Sequence, residues 1–343
     1  MKNNELIIQP GNEIVIENGG NSIRQFPFLS AFNNTILVNF SQHGDTYIDH
    51  PIDGIRLSSD FGNTWPVYMD NTDFYFTAVV RLENNDLFGM SYITTRIDEK
   101  HSTCYYCISS DNGINWRKFT GTVVFPEAQS SLASSNWGGI MFHRSLMQMS
   151  DGSLRGTMYG KYTDDKRYRC LWVKSEDRGA SWSVVSVIAF DCTIGTEGYC
   201  EPVVARCADG SLLCVMRTGS SEYPLYQCRS LDEGLKWTVP EMLPGVNPDD
   251  ALSVDPDLCL MSNGVLILSY GRPGCRLLFS PDGNGSRWGH VTTVCTSKTS
   301  GYTGIREISP GRLLIIGDKG SDWLHPTEFG IWGRYIDVRR SVD

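Results

Sequence analysis

One eight-residue pattern governs what this chain can become. Ser-x-Asp-x-Gly-x-x-Trp occurs four times without a fault, at Ser58–Trp65, Ser109–Trp116, Ser175–Trp182 and Ser230–Trp237, and a fifth time with one extra residue at Ser280–Trp288. Its aspartates, at 60, 111, 177, 232 and 282, lie 50 to 66 residues apart. That interval fits one four-stranded antiparallel unit per repeat. The residue types follow from the geometry of a tight turn. Asp accepts hydrogen bonds from turn amides, Gly takes a positive φ, and Trp drops a large apolar surface beside the hairpin. The five aspartates are therefore read as structural rather than catalytic.

A second repeated signal agrees with the first. Asp-Gly or Asn-Gly turns precede apolar runs at Asp151-Gly152, Asp209-Gly210 and Asn263-Gly264, and Asn84–Asp86 and Pro310-Gly311 occupy similar places. Each reads as the turn between the first two strands of a unit. Five units leave both chain ends over, and the strand-like segments Glu13–Ile16 and Phe329–Ile336 would complete a sixth. The fold class expected is all-β, a six-bladed β-propeller with Asp-box hairpin turns, in one domain spanning residues 1–343. The content of 34 glycines and 11% aromatics suits many short strands joined by tight turns.

Composition narrows the function classes. The formal net charge is −9, and no run of Lys or Arg suggests nucleic-acid binding. The eleven cysteines are odd in number, and several lie in apolar strand-like runs such as Leu212–Met216. Buried thiols explain them better than a disulfide framework. Cys104-Tyr-Tyr-Cys107 has the spacing of a redox or metal pair, but residues three apart on a strand point to opposite faces, and no second pair accompanies it. The six histidines show no ligand spacing, so neither a metal nor a cofactor is expected. The first ten residues lack the apolar core of a signal peptide, and nothing approaches a membrane span. A cytoplasmic protein with no membrane and no nucleic-acid partner is expected. Its oligomeric state is left open.

These repeats resemble those of the Asp-box (BNR) proteins, and further residues resemble the sialidase (neuraminidase) branch of that group. The resemblance implies three arginines that clamp a substrate carboxylate, as suits paired hydrogen bonds from guanidinium groups. Arg24, in Ile23-Arg-Gln-Phe-Pro27, is similar to the Arg-Ile-Pro motif but has one extra residue before the proline. Arg217, at the end of Leu212–Arg217, is similar to the second arginine, and Arg272, in Tyr270-Gly-Arg-Pro273, to the third. The nucleophile of that branch is a tyrosine, because an anionic nucleophile would be repelled by the sugar's own carboxylate. Tyr302, in Ser300-Gly-Tyr-Thr, matches it. Glu201, in Glu201-Pro-Val-Val204, matches the carboxylate that takes the phenol's proton, with Glu197 and Glu307 as weaker substitutes.

The acid/base is implied to be an aspartate in the loop after the first arginine. Asp49 stands at about the family distance and Asp45 close behind, while Asp53 lies nearer the strand. Trp137, His143 and Arg144 are either further pocket residues or inter-blade packing. The reading that follows is a retaining exo-sialidase-like glycoside hydrolase acting on a small acidic saccharide, sialic acid or a related nonulosonate. Two rivals stand beside it: a propeller hydrolase or lyase acting on another glycan, and a non-catalytic carbohydrate-binding propeller.

Overall fold

The computed structural model describes residues 5–20, 23–44, 53–72, 76–130, 138–219, 225–245, 253–272, 274–320 and 329–341. Among them every regular element is a strand. The first four-stranded unit, or blade, is β2 (Gln25–Phe32), β3 (Thr35–Ser41), β4 (Asp53–Ser58) and β5 (Val67–Thr72). Blade two is β6 (Phe76–Arg81), β7 (Leu87–Arg96), β8 (His101–Ser109) and β9 (Arg117–Val124). Blade three is β10 (Ile140–Gln148), β11 (Leu154–Gly160), β12 (Arg169–Ser175) and β13 (Ser181–Ala189). Blade four is β14 (Cys200–Arg206), β15 (Leu212–Arg217), β16 (Tyr226–Ser230) and β17 (Glu241–Met242). Blade five is β18 (Val254–Leu260), β19 (Leu266–Gly271), β20 (Cys275–Ser280) and β21 (Gly289–Cys295). Blade six is β22 (Thr303–Ser309), β23 (Arg312–Lys319) and β24 (Phe329–Arg340), completed by β1 (Leu6–Gly20) from the other end of the chain.

The ring is closed in two ways. β1 pairs antiparallel with β24 from Leu6 opposite Arg340 to Gly20 opposite Phe329. The first strands β2, β6, β10, β14, β18 and β22 also touch one another in that order, and β22 returns to β2. The outer strands β9 and β13 of blades two and three pair in parallel, which joins those two blades into one sheet.

Among the described residues there is no single central core. Six apolar clusters each sit between one blade and the next. Each blade is therefore buried on both faces, which explains strands such as Leu212–Arg217 that read as nearly continuous apolar runs. Cys104 belongs to the cluster between blades two and three, and Cys107 to that between blades one and two. The strand alternation thus sends these two thiols into different cores. All eleven cysteines are free, and ten are buried.

The repeated turns are built as their residue types require. In the first, Ser58 Oγ donates to Asp60 Oδ1 at 2.7 Å, Gly62 N donates to Ser58 Oγ at 2.9 Å, and Thr64 N donates to Asp60 Oδ1 at 2.9 Å. The same set recurs around Asp111, Asp177 and Asp232. The four glycines take φ between 84° and 95°. The fifth turn absorbs its extra residue and still closes with Gly285 N on Ser280 Oγ at 3.0 Å. Every one of these turns follows the third strand of a blade. In an antiparallel blade that is the end opposite the starts of the first strands and the ends of the second strands.

No helix of the described residues is long and apolar enough to cross a membrane. The tryptophan of the third turn, Trp182, is 1% exposed and packs edge-on against Phe142 at 5.2 Å. Trp182→Ala is expected to cost about 3–5 kcal/mol, whereas Trp237→Ala, at a half-buried position, should cost less. Chemical denaturation of the two variants checks the order.

Candidate functional site

The residues that meet at the other end come from three blades. Glu201 starts β14 in blade four, Arg217 ends β15 of the same blade, Arg272 follows β19 in blade five, and Tyr302 precedes β22 in blade six. Glu201 is placed by a bulge. The pairing of β14 with β15 skips between Cys200 and Val203, and Glu201 takes φ +50° immediately before Pro202. A side chain in this left-handed region is held there by its surroundings, and the bulge re-aims it. The device recurs at Phe26-Pro27 in blade one (φ +55°), Arg144-Ser145 in blade three (φ +47°) and Asp255-Pro256 in blade five (φ +44°).

Glu201 is 1% exposed, and each of its oxygens is engaged. The Tyr302 hydroxyl donates to Oε1 at 2.5 Å. The backbone N–H of Asp255 donates to Oε2 at 3.0 Å. Arg217 Nε lies 2.8 Å from the same oxygen, with its N–H not aimed at it, so that contact is ionic rather than a directed hydrogen bond. Burial alone would raise the Glu201 carboxyl. Arg217, His143, the Tyr302 hydroxyl and Arg272 outweigh it, and the group is held below the usual glutamate value of 4.5. Burial pushes His143 down to about 3, so at neutral pH the compensating charge comes from the arginines. Burial and then the Glu201 charge push the Tyr302 phenol well above its ordinary value. At rest the pair is a carboxylate and a neutral phenol.

Arg217 also reaches Glu197 Oε2 at 3.6 Å. Arg272 donates from Nε to the Ser300 carbonyl at 2.7 Å, and burial lowers its guanidinium. The Phe26 ring packs against Tyr302 at 4.6 Å. Tyr92 and Tyr159 share a hydrogen bond of 2.7 Å between their hydroxyls, and both flank His143 edge-on.

Arg24 does not join Arg217 and Arg272. It pairs with Glu17 of β1 at 3.3 Å, over the Phe40 ring, and Glu17 also accepts Arg56 Nε at 2.5 Å. The extra residue before Pro27 is the cause. Successive side chains of an extended segment alternate in direction, so the insertion puts the fully buried Gln25 two places before the proline. Asp45, Asp49 and Trp137 lie outside the described residues. Asp53 is fully buried at the start of β4, opposite Ser41. Glu307 turns away to Ser262 and Gly311.

His143 and Arg144 belong beneath the site. Arg144 Nε donates to Asp255 Oδ1 at 2.9 Å, and its Nη2 binds Asp255 Oδ2 and, at 2.5 Å, the Thr303 carbonyl. His143 Nε2 is 3.3 Å from Asp255 Oδ1. Asp255 was not anticipated from the sequence. Its signal was available, because Asp255-Pro256 repeats the placement of Glu201-Pro202 at the start of a first strand. Among the described residues no group of His, Cys, Asp or Glu is arranged to hold a metal ion.

The BNR repeat-like domain model matches residues 76–305, more than half of the chain. The chain belongs to the BNR repeat-like family. No curated protein matches the sequence. Solved structures do match this member of the family. A protein of unknown function from Dyadobacter fermentans aligns with a TM-score of 0.76 and 16% identity, over 97% of this chain and 99% of its own. An α-L-arabinanase of Penicillium chrysogenum, complexed with arabinobiose, gives 0.71 and 14% over 96% and 98%. The Hadza microbial sialidase Hz136 gives 0.69 and 16% over 93% and 68%. At these identities the likeness is one of fold, a sialidase-like propeller whose neighbours include glycoside hydrolases.

Glu201→Gln removes the buried acidic partner of Arg217 and is expected to destabilise the chain by about 3–5 kcal/mol at neutral pH. Because the folded carboxyl is held low, its contribution is complete above the ordinary value of 4.5 and is lost as pH falls through the lower folded value. The gap in melting temperature between the native chain and the variant should therefore be constant from pH 7 to 5 and narrow below about pH 4.5. Thermal melts across that range check it.

Proposed function

We propose that the chain is a retaining exo-glycosidase of the sialidase kind that releases a terminal acidic sugar, sialic acid or a related nonulosonate, from a small saccharide. The observation that carries this reading is the 2.5 Å hydrogen bond from the Tyr302 hydroxyl to the buried Glu201, flanked by Arg217 and Arg272. A nucleophile is needed beside a carbon that bears a carboxylate. Two unit charges about 4 Å apart at a surface-like dielectric repel by about 4 kcal/mol, roughly a thousandfold in rate. A neutral phenol avoids that repulsion.

Tyr302 Oη attacks the anomeric carbon as its proton passes to Glu201, and the bond to the leaving oxygen breaks. Asp49, or Asp45, gives that oxygen a proton. In the second half, the same aspartate takes a proton from water, which attacks the anomeric carbon. The bond to Tyr302 then breaks, and Glu201 returns the proton to the phenol. Two inversions give net retention. Arg217 and Arg272 bind the sugar carboxylate. No metal or cofactor enters.

A second reading has its own support. With Arg24 paired to Glu17, the arginines acting on Glu201 among the described residues are Arg217 and Arg272, and Arg217 is shared with Glu197. A less anionic glycan is then the alternative substrate. The arabinanase likeness, which spans nearly the whole of both chains, points the same way.

A fluorogenic sialoside tests the proposal. Turnover is expected, with the first-released sugar in the retained anomer by NMR. Glu201→Gln should lower kcat by about 10²–10⁴-fold, and Tyr302→Phe by at least as much. Turnover of arabinosides or uronides with none of the sialoside would replace this reading with the second. Binding of the free sugar acid with no turnover of any glycoside would make the chain a lectin. Asp49→Ala should slow an alkyl sialoside far more than an activated aryl one, since an activated leaving group needs no proton. If Asp45→Ala does so instead, the assignment moves to Asp45.

A further inference from the structure

Asp318 takes no part in the steps above, yet it is fully buried near the end of β23 with a shell made of donors alone. Thr299 Oγ1 donates to Oδ1 at 2.7 Å and Ser300 N to the same oxygen at 2.7 Å. Ser300 Oγ and, at 3.1 Å, the backbone N–H of Phe26 donate to Oδ2. A shell of donors calls for a group that only accepts, which is an ionised carboxylate and not an amide. What these donors have in common is their neighbours. Ser300 Oγ accepts the N–H of Tyr302 at 3.2 Å, the Ser300 carbonyl accepts Arg272 Nε at 2.7 Å, and the Phe26 ring rests on the Tyr302 ring.

The segment leaves little slack. Gly301 has φ +88°, and a Cβ there would meet the Arg272 side chain at 2.7 Å and Val254 at 2.8 Å. A Cβ on Gly271 would meet the Gly301 carbonyl oxygen at 1.9 Å. The loop therefore lies backbone against backbone on the end of β19, and Asp318 fixes it from the other side.

We propose that Asp318 is a positioning residue, which holds residues 299–301 and Phe26 in one frame and so sets where Tyr302 stands against Glu201 and where Arg272 stands beside both. This rests on the reading of Tyr302 as nucleophile, but its geometric content does not. The rival is a carboxylate that merely pins blade one to blade six.

The test uses the full chain with 13Cζ-labelled tyrosine, the Tyr302 resonance being assigned by its loss in Tyr302→Phe. In Asp318→Asn that resonance should move toward its position in Glu201→Gln. On a fluorogenic sialoside, kcat should fall roughly 10–100-fold, the scale of a misplacement near 1 Å, with KM changed by less than about threefold. Ser300→Ala should shift both in the same direction and by less. In a double-mutant cycle with Tyr302→Phe, the Asp318 effect on kcat should vanish. A folded Asp318→Asn chain that melts lower but keeps the native Tyr302 resonance and kcat overturns the proposal. If Asp318→Asn does not fold, an unmoved resonance in Ser300→Ala overturns it equally. A native chain that turns over no sialoside removes the hydrolase reading and leaves the resonance to decide the role of Asp318.

Discussion

Pairing of β1 with β24 is the constraint on which the rest depends. Each apolar cluster is shared by two adjacent blades, so a blade buries both faces when, and only when, it has a neighbour on each side. An open row of five blades and three further strands would expose the faces at its two ends and leave β24 without its outer partner, both of which invite aggregation. The first strand of the chain covers that edge by pairing with the last, becomes the outer strand of blade six, and so ties the two ends of the ring together. Closure also fixes the rotation of one blade against the next, and so brings together side chains that the sequence separates by a hundred residues.

The site exploits that convergence. An antiparallel blade presents the start of its first strand, the end of its second and the start of its third at one end. Glu201, Arg217, Arg272 and Tyr302 all sit at such positions, while the Asp-box turns use the other end. The candidate site and the turn chemistry are thus separated by the length of a strand. Burying the ionised Glu201 costs several kcal/mol in lost hydration. The cost is offset by Arg217, by the N–H of Asp255 and by the Tyr302 hydroxyl, each from a different blade. The same donors that make the carboxylate tolerable in the interior hold it ionised.

Most of the fold was legible because its code is local. A turn of fixed residue types recurred at blade spacing, and the two leftover ends of the chain matched the missing blade. The parallel pairing of β9 with β13 was not legible, since no residue type marks it. The meeting of the candidate site's side chains was legible where a side chain is named by its neighbours: Glu201 by the proline after it, Arg217 by the strand it ends, Tyr302 by its loop. Arg24 misled because the charge was there but the count of residues to Pro27 was not, and one residue is enough to turn an extended side chain to the opposite side. Asp255 and Asp318 were missed for a different reason. Each acts through hydrogen bonds to strands far away in sequence, and an aspartate read alone carries no sign of its donors.

The buried charges beneath Glu201 bear on why so polar a layer persists in the middle of the ring. Arg144 comes from blade three, Asp255 and Asp257 from blade five, and Arg306 and the Thr303 carbonyl from blade six. Asp257 Oδ2 accepts both Arg306 Nη1, at 2.8 Å, and the N–H of Ile305, at 2.9 Å. For stability alone, such a network is no better than apolar packing of the same volume. What it supplies is direction. Apolar contacts between first strands would let neighbouring blades slide with little penalty, whereas a guanidinium held by two carboxylates and a carbonyl has one good arrangement. That arrangement carries Asp255 at a strained φ of +44°, and Asp255 presents its own N–H to Glu201. The strain is sustained because the Asp255 carboxylate is already fixed by Arg144. The network therefore does for Glu201 from below what Asp318 does for Tyr302 from the side, and the 2.5 Å contact between phenol and carboxylate is the point at which the two supports meet.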